Sequence, residues 1–155
     1  MPITPAKDKA EIREVILNDE YILSLGFTDE YTYNTNATDE KLEYNNKQIF
    51  IYNAPSRTNN LNTKTLEQLI QIDVSVPVNN ASVGDLAIEQ IIALFDEYEW
   101  KDGGHGEMRV IAPSPTPLAC QSGFYTVAAR FAYYTTIVND KKRKEWFLWQ
   151  LKHRK

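Results

Sequence analysis

The clearest pattern in the sequence is a strict alternation of apolar and polar residues across positions 66–76. Alternate positions fall on two faces, one with Ile70, Ile72, Val74 and Val76, the other with Leu69, Gln71, Asp73 and Ser75. A period of two residues predicts a β-strand with one buried face and one mostly polar face. Pro77 ends this strand because proline cannot donate a ladder hydrogen bond.

Three further segments also have strand character. Residues 48–52 form a short apolar run, residues 108–111 predict a third strand, and residues 122–138 predict a long fourth one. The fourth carries aromatic side chains on both faces, which is typical of a strand in a covered sheet or against a partner; we favour a partner. The proline-rich stretch 112–117 is expected to be an extended connector outside the ladder. Residues 28–47 predict a loop with at most a weak strand at 31–33.

Apolar residues recur at helical spacing in two regions. The first begins at Pro5, is interrupted at 18–19 where a short second helix is capped, and stops at Gly26. The second begins at a capping box formed by Ser82 and Asp85 and ends near Trp100. We predict that its apolar face comprises Val83, Leu86, Ala87, Ile91, Leu94, Phe95 and Tyr98.

The order of these elements is helix, strand, strand, helix, strand, strand. That order predicts an α+β fold in which a mostly antiparallel four-stranded sheet carries its helices on one face. We expect one domain over residues 1–138 and a basic, aromatic C-terminal extension over 139–155.

Composition narrows the class of protein. The 155 residues suit a single domain, and the hydrophobic fraction of 43% is sufficient for a core. No apolar run approaches the length of a membrane helix and no secretion signal is evident, so we expect synthesis in the cytoplasm and no membrane partner. One cysteine, Cys120, excludes an intrachain disulfide.

Charge is distributed unevenly along the chain. Residues 140–155 contain seven Lys/Arg and two Asp/Glu, a net charge of +5, and the remainder contains ten against nineteen, a net charge of −9. An acidic body repels phosphate, which argues against a main domain that grips nucleic acid.

The sequence contains few residues that are candidates for catalysis or metal binding. His105 lies among three glycines, where it is either a metal ligand or general base, or simply a polar residue in a glycine turn without a fixed partner. Cys120 is either a nucleophile or a small buried thiol. We predict no catalytic residues, no metal site and no cofactor, and therefore a protein that is not an enzyme; a small ligand-binding or enzymatic domain built on the His105 turn is the alternative.

The chain resembles the tail terminator proteins of long non-contractile-tailed phages, also called tail completion or head-tail joining proteins. The resemblance runs over about residues 6–138 as an order of elements with loose residue preferences. It is carried by the segments ILSLG at 22–26, IFIY at 49–52, IQIDV at 70–74, IIALF at 91–95, MRVIAPSP at 108–115 and ARFAY at 129–133.

This resemblance implies a structural subunit of a siphophage virion. Six copies are expected to form a ring that caps the tail tube, contacts the tail tube protein and the head connector or stopper protein, and lets genomic DNA pass through its channel without specific binding. A head completion or stopper protein, one ring nearer the head, is the related alternative.

We predict that the subunit or ring interface draws on three parts of the chain. A polar loop over 53–62 is expected to become ordered on a partner, the long final strand offers aromatic and basic side chains, and the extension combines a basic cluster with exposed tryptophans. The candidate interface residues are Asn53, Arg57, Phe124, Arg130, Tyr134, Trp146, Phe147 and Trp149.

Overall fold

The computed structural model of the protein describes residues 5–35, 46–54, 65–101, 105–118, 123–136, 148–149 and 151–152. Three helices lie within these ranges: α1 (Pro5–Leu17), α2 (Glu20–Ser24) and α3 (Ala81–Phe95). The predicted break between the first two is confirmed, because the Asp19 carboxylate accepts the backbone N–H of Ile22 and caps α2. Gly26 follows with a φ of 102°, the left-handed conformation that favours glycine.

Five strands form one sheet: β1 (Thr32–Tyr33), β2 (Gln48–Asn53), β3 (Thr65–Pro77), β4 (Arg109–Pro117) and β5 (Phe124–Thr136). Their order in space is β1-β2-β3-β5-β4. The pair β1·β2 is parallel and the other pairs are antiparallel. The α+β class is therefore confirmed, whereas the predicted four-stranded antiparallel sheet is replaced by a mixed sheet of five strands.

The centre of the sheet is the ladder between β3 and β5, which pairs every residue from Thr65 with Thr136 to Pro77 with Phe124. The alternation predicted for β3 is present. Ile70, Ile72, Val74 and Val76 are fully buried on the face that receives all three helices, where they pack with Ile12, Ile16, Ile22, Ala87, Ile88, Ile91 and Phe95. We call this the helix face and the other side of the sheet the opposite face.

The proline-rich stretch 112–117 is extended as predicted and lies within strand β4; residues 112–115 have no ladder pairing with β5, whereas Thr116 and Pro117 are paired, against the prediction. β4 is an edge strand, and its pairing with β5 is interrupted between Ile111 and Thr116. Within that interruption the Ser114 hydroxyl accepts the backbone N–H of Arg130 at 3.1 Å and donates to the Ile111 carbonyl at 2.6 Å. A side chain therefore replaces the ladder bonds that proline cannot make at an edge.

Helix α3 differs from its prediction at both ends and on one face. It begins at Ala81 after a 3-10 turn, has no side-chain cap, and ends at Phe95 instead of near Trp100. Its buried face includes Gly84, where an added Cβ would lie 3.1 Å from Val76 Cγ2, so the helix approaches the sheet closely there. Leu86, predicted to be buried, is 42% exposed. None of the described helices is long and apolar enough to cross a membrane.

Candidate functional site

The predicted interface residues of β5 lie on the opposite face of the sheet. Phe124 is buried, Arg130 is exposed with its Nε donating to Gln71 Oε1 at 2.7 Å, and Tyr134 is 52% exposed with its hydroxyl donating to Glu67 Oε2 at 3.0 Å. Asn53 is half-buried at the end of β2, and Trp149 is exposed. β5 is an interior strand with buried residues on both faces, so Phe124 is already covered within one subunit.

The remaining sequence candidates lie outside the described residues. They are Arg57, Trp146 and Phe147 among the interface candidates, and Cys120 among the reactive ones.

His105 sits in a buried hydrogen-bonded cluster, which corrects the expectation that it has no fixed partner. Its Nε2 lies 2.9 Å from Asp8 Oδ1 and its Nδ1 lies 2.6 Å from Thr135 Oγ1. The other Asp8 oxygen accepts the Tyr133 hydroxyl at 2.6 Å. With Nε2 protonated, a neutral imidazole donates to Asp8 and accepts from Thr135, so both ring nitrogens are satisfied. We call these four residues the His105 cluster.

Aromatic rings surround the imidazole of this cluster. The ring centroid of Trp100 is 4.9 Å from that of His105, and the centroid of Tyr133 is 4.7 Å from each of them. The indole Nε1 of Trp100 is buried and has no hydrogen-bond partner in the part of the chain that the structure describes. The cluster therefore joins helix α1 and the end of β5 to His105 through polar contacts and to Trp100 through ring contacts.

The order hydroxyl, imidazole, carboxylate also occurs in hydrolases, but the setting here is different. The side chains of His105 and Asp8 are only 2% and 6% exposed, and both imidazole nitrogens are occupied. A general base must reach the proton that it abstracts, and this ring faces neighbouring side chains instead. Within the described ranges, no three His, Cys, Asp or Glu side chains are placed to hold a metal ion. The arrangement is suited to fixing elements of the fold together.

A second polar cluster is buried on the opposite face of the sheet. Asp73 accepts the Tyr52 hydroxyl and the Gln71 side-chain amide, both at 2.8 Å, and Gln71 Oε1 in turn accepts from Arg130. Gln71 and Asp73 are each 4% exposed, so the mostly polar face that the alternation predicted is buried at these two positions. We call these four residues the Asp73 cluster.

Burial shifts the pKa of three acids in the two clusters. Desolvation raises the pKa of Asp73, and hydrogen bonds from Gln71 and Tyr52 and the charge of Arg130 oppose that rise without cancelling it. Desolvation also raises the pKa of Tyr52 and of Tyr133 far above that of a free tyrosine, and the neighbouring carboxylates, Asp73 and Asp8 respectively, add to the rise. Both phenols therefore remain neutral donors.

Sequence reasoning could not have assembled either cluster. His105 is separated by 97 residues from Asp8 and by 30 from Thr135. Asp73 and Tyr52 lie 21 residues apart. A local pattern does not report such contacts; the only signal available was the presence of Gln and Asp at alternate positions within an otherwise apolar strand.

Several large apolar side chains are about half exposed on the subunit. Leu148, Trp149 and Leu151, in the helical residues of the C-terminal extension, are 55%, 57% and 48% exposed. On the helix side, Tyr21, Leu23 and Leu86 are 42%, 43% and 42% exposed. Apolar groups concentrated in this way commonly mark contact surfaces.

Comparison with known proteins gives little further guidance. No family model matches the chain, and no curated protein matches it. One solved structure is similar over 86% of this chain and 98% of its own length, with 15% sequence identity and a TM-score of 0.49. A likeness at that level carries no argument about function.

Proposed function

We propose that this protein is a structural subunit of a phage tail terminator, which assembles as a closed ring of six copies between the tail tube and the head connector. The observation that supports this proposal most is the set of exposed apolar side chains at two separate places on one subunit. Two different patches are what a head-to-tail ring requires, because each subunit then uses one patch against the other patch of its neighbour.

The absence of an accessible reactive group at His105 is compatible with such a role. The imidazole is enclosed and hydrogen-bonded on both sides, so the most conspicuous candidate for chemistry is used in packing. The α+β class of the fold is compatible with the resemblance.

The acidic body suits a channel through which DNA moves. Residues 1–139 carry nineteen Asp/Glu against ten Lys/Arg, so their net charge opposes tight binding of phosphate. In this proposal DNA passes through the ring, and the tail tube protein and the connector or stopper protein are the binding partners.

Native mass spectrometry of the purified chain and electron microscopy of assembled tails test the proposal. We expect a closed oligomer at the end of the tail tube that faces the head. Single subunits in finished particles would contradict the ring. Location on the head side in tail-less heads would identify a head completion protein instead, and a tail tube gene directly downstream would favour the terminator.

A further inference from the structure

Arg130 differs from the other two arginines that the structure describes. Arg13 and Arg109 each donate hydrogen bonds to carboxylates of this chain. Arg130, which is exposed, donates to a neutral group instead, because its Nε lies 2.7 Å from Gln71 Oε1. The two terminal nitrogens of its guanidinium have no hydrogen-bond acceptor among the described residues.

A chain of buried hydrogen bonds orients this guanidinium. The Gln71 side-chain amide donates to Asp73 at 2.8 Å, and Asp73 also accepts the Tyr52 hydroxyl at 2.8 Å. Gln71 and Asp73 are each 4% exposed, so packing and hydrogen bonds together restrict their movement. Because Gln71 binds the Nε of Arg130, the two terminal nitrogens of an oriented planar group remain available to an acceptor on another molecule.

An oriented guanidinium is suited to binding an acidic group. Its parallel N–H donors match the two oxygens of a carboxylate or phosphate. A long side chain that is already held in place loses less conformational entropy on association than a freely rotating one. The carboxylate behind Arg130, that of Asp73, reaches it only through Gln71. Arg130 can therefore bind a second carboxylate directly.

A second copy of this chain offers such carboxylates in excess. Residues 1–139 contain nineteen Asp/Glu against ten Lys/Arg. The side chains of four exposed glutamates have no ion pair or hydrogen bond within the described ranges: Glu20, Glu30, Glu89 and Glu99. The same excess of negative charge repels the phosphates of DNA, which favours a protein carboxylate as the group that Arg130 binds.

The surface beside Arg130 also suits a protein contact. Tyr134 lies on the same face of β5, four residues further and roughly 13 Å along the strand. Its hydroxyl donates to Glu67, while its side chain is 52% exposed. Arginine and tyrosine are two of the residue types that contribute most to binding energy at protein interfaces.

We infer that Arg130 binds, through its two terminal nitrogens, the carboxylate of one of these four glutamates on a second copy of this chain, and that Gln71 and Asp73 position it. Glu20 and Glu89 belong to helices on the helix face, whereas Arg130 lies on the opposite face, so the contact joins different surfaces of two copies. The inference rests on the proposed function because it names a contact between subunits.

Charge exchange between full-length chains tests the contact. Arg130→Glu alone should weaken self-association by a factor of about ten or more, because two carboxylates would then face each other. Sedimentation velocity over a range of concentrations measures this change. The Arg130→Glu chain is then mixed with each reversed glutamate in turn, and one of the four mixtures should regain association: Glu20→Arg, Glu30→Arg, Glu89→Arg or Glu99→Arg.

Three results would overturn the inference. They are a wild-type chain that stays monomeric at every concentration, an Arg130→Glu chain that associates as the wild type does, and a failure of all four mixtures to associate. Lys101→Glu is the control, since it makes the same change in net charge at a side chain that is 57% exposed and should leave association unchanged.

A variant of Gln71 tests the positioning role. Gln71→Met retains the charge of Arg130 but removes the acceptor that orients it, so association should weaken by about threefold. Urea denaturation establishes that the variant is folded. A folded Gln71→Met chain that associates as tightly as the wild type would contradict the positioning role, and the charge exchange decides the contact itself whether or not this variant folds.

Two further measurements separate the contact from its alternatives. Duplex DNA that binds the wild-type chain but not Arg130→Glu would assign the guanidinium to phosphate and overturn the protein contact. In native mass spectrometry, a closed oligomer that persists in Arg130→Glu overturns the inference and leaves the ring. Association that charge exchange restores, but only as dimers or open chains, supports the inference and counts against the ring.

Discussion

Asp8 and Asp73 are both buried carboxylates, yet they stabilise the molecule in different ways. Asp8 lies on the helix face and binds His105 and Tyr133, which are 97 and 125 residues away in the sequence. Asp73 lies on the opposite face and binds Gln71 and Tyr52, on its own strand and the adjacent one. The backbone ladder already holds the Asp73 partners together, whereas the His105 cluster is itself a connection between distant elements.

The ionic setting of the two carboxylates also differs. Asp8 Oδ1 is in direct contact with the imidazole of His105, 2.9 Å from its Nε2. Asp73 is in contact with two neutral donors, and Arg130 reaches it only through Gln71. Burial therefore opposes ionisation of Asp73 and raises its pKa. Replacement of Asp8 and replacement of Asp73 should therefore change the free energy of unfolding by different amounts.

The largest effect is expected from Asp8→Ala. The substitution leaves the Tyr133 hydroxyl and one imidazole nitrogen buried without an acceptor, and should lower the free energy of unfolding by about 3–4 kcal/mol. Asp73→Ala should cost about 1–2 kcal/mol, because it also removes an unfavourably buried charge. Urea denaturation measures both.

Glu14→Ala is the control for Asp8→Ala, since Glu14 is an acidic residue of the same helix whose side chain is 63% exposed. It should change the free energy of unfolding by no more than about 0.5 kcal/mol. A larger cost for Asp73→Ala than for Asp8→Ala would reverse the comparison between the two clusters.

The next effect concerns His105. Loss of the imidazole removes two hydrogen bonds and the ring contacts with Trp100 and Tyr133, so His105→Ala should cost about 2–3 kcal/mol in the free energy of unfolding. His105→Gln retains a donor that can reach Asp8 and should recover part of that loss. Thermal unfolding should show that His105→Gln is more stable than His105→Ala and less stable than the wild-type protein.

Arg130→Ala provides the corresponding change in the Asp73 cluster. The Arg130 side chain touches the cluster at its exposed edge, so its removal should alter the melting temperature much less than removal of the buried imidazole. If His105→Ala melts together with the wild-type protein, the imidazole contributes no net stability and the expectation of a turn residue without a fixed partner is restored.

Local patterns predicted the parts of the fold that local physics determines. The alternation in β3, the helix break at Asp19 and the turn at Gly26 each follow from side-chain periodicity, capping or backbone freedom within a few residues. Residues 112–115 stand outside the ladder as predicted, but the pairing of Thr116 and Pro117 and the hydrogen bonds of Ser114 depend on a strand further along the chain.

Local sequence patterns could not predict the two clusters either, because the side chains of each cluster come from separate parts of the chain. The alternation in β3 predicted one mostly polar face, but it did not indicate that Gln71 and Asp73 are buried and hydrogen-bonded to side chains of neighbouring strands. His105 suggested either a reactive group or an unconstrained loop residue, and neither reading anticipates partners on α1 and β5. Of the residues chosen as interface candidates, Arg130, Tyr134 and Trp149 are exposed, as a contact residue must be before assembly.

A smaller effect is expected from the two buried phenols. Tyr133→Phe leaves an Asp8 oxygen without a donor and should cost about 1–1.5 kcal/mol; Tyr52→Phe, at a half-buried site, should cost less. Because folding raises the pKa of both phenols, their contribution is complete below about pH 10, where an unfolded tyrosine is still neutral, and is lost as the pH rises further.

Tyrosinate absorbance during alkaline titration measures this effect directly. The wild-type protein should contain phenols that ionise only when the chain unfolds, and each Phe variant should lose one of them. An unchanged late phase in Tyr133→Phe would mean that this phenol is accessible to hydroxide in the folded protein. Tyr21→Phe, at an exposed position, is the control.

The smallest effect at neutral pH is expected from Asp73→Asn, and its sign depends on pH. An amide can still accept from Tyr52 or Gln71, and its burial carries no charge, so the free energy of unfolding at neutral pH should change by less than about 1 kcal/mol.

The pH dependence of this effect follows from the raised pKa of Asp73. Between its pKa in the unfolded chain and its higher pKa in the folded protein, the folded protein binds more protons than the unfolded chain. The free energy of unfolding that the wild-type protein owes to Asp73 therefore increases as the pH falls through that window. Denaturation of both proteins from neutral pH to below pH 4 should therefore show the wild type improving relative to Asp73→Asn, whereas Glu30→Gln, at an exposed position, should run parallel to the wild type. A difference between wild type and Asp73→Asn that widens in favour of the variant as the pH falls would show that the Asp73 cluster stabilises the ionised carboxylate, and the contrast with Asp8 would then have to be abandoned.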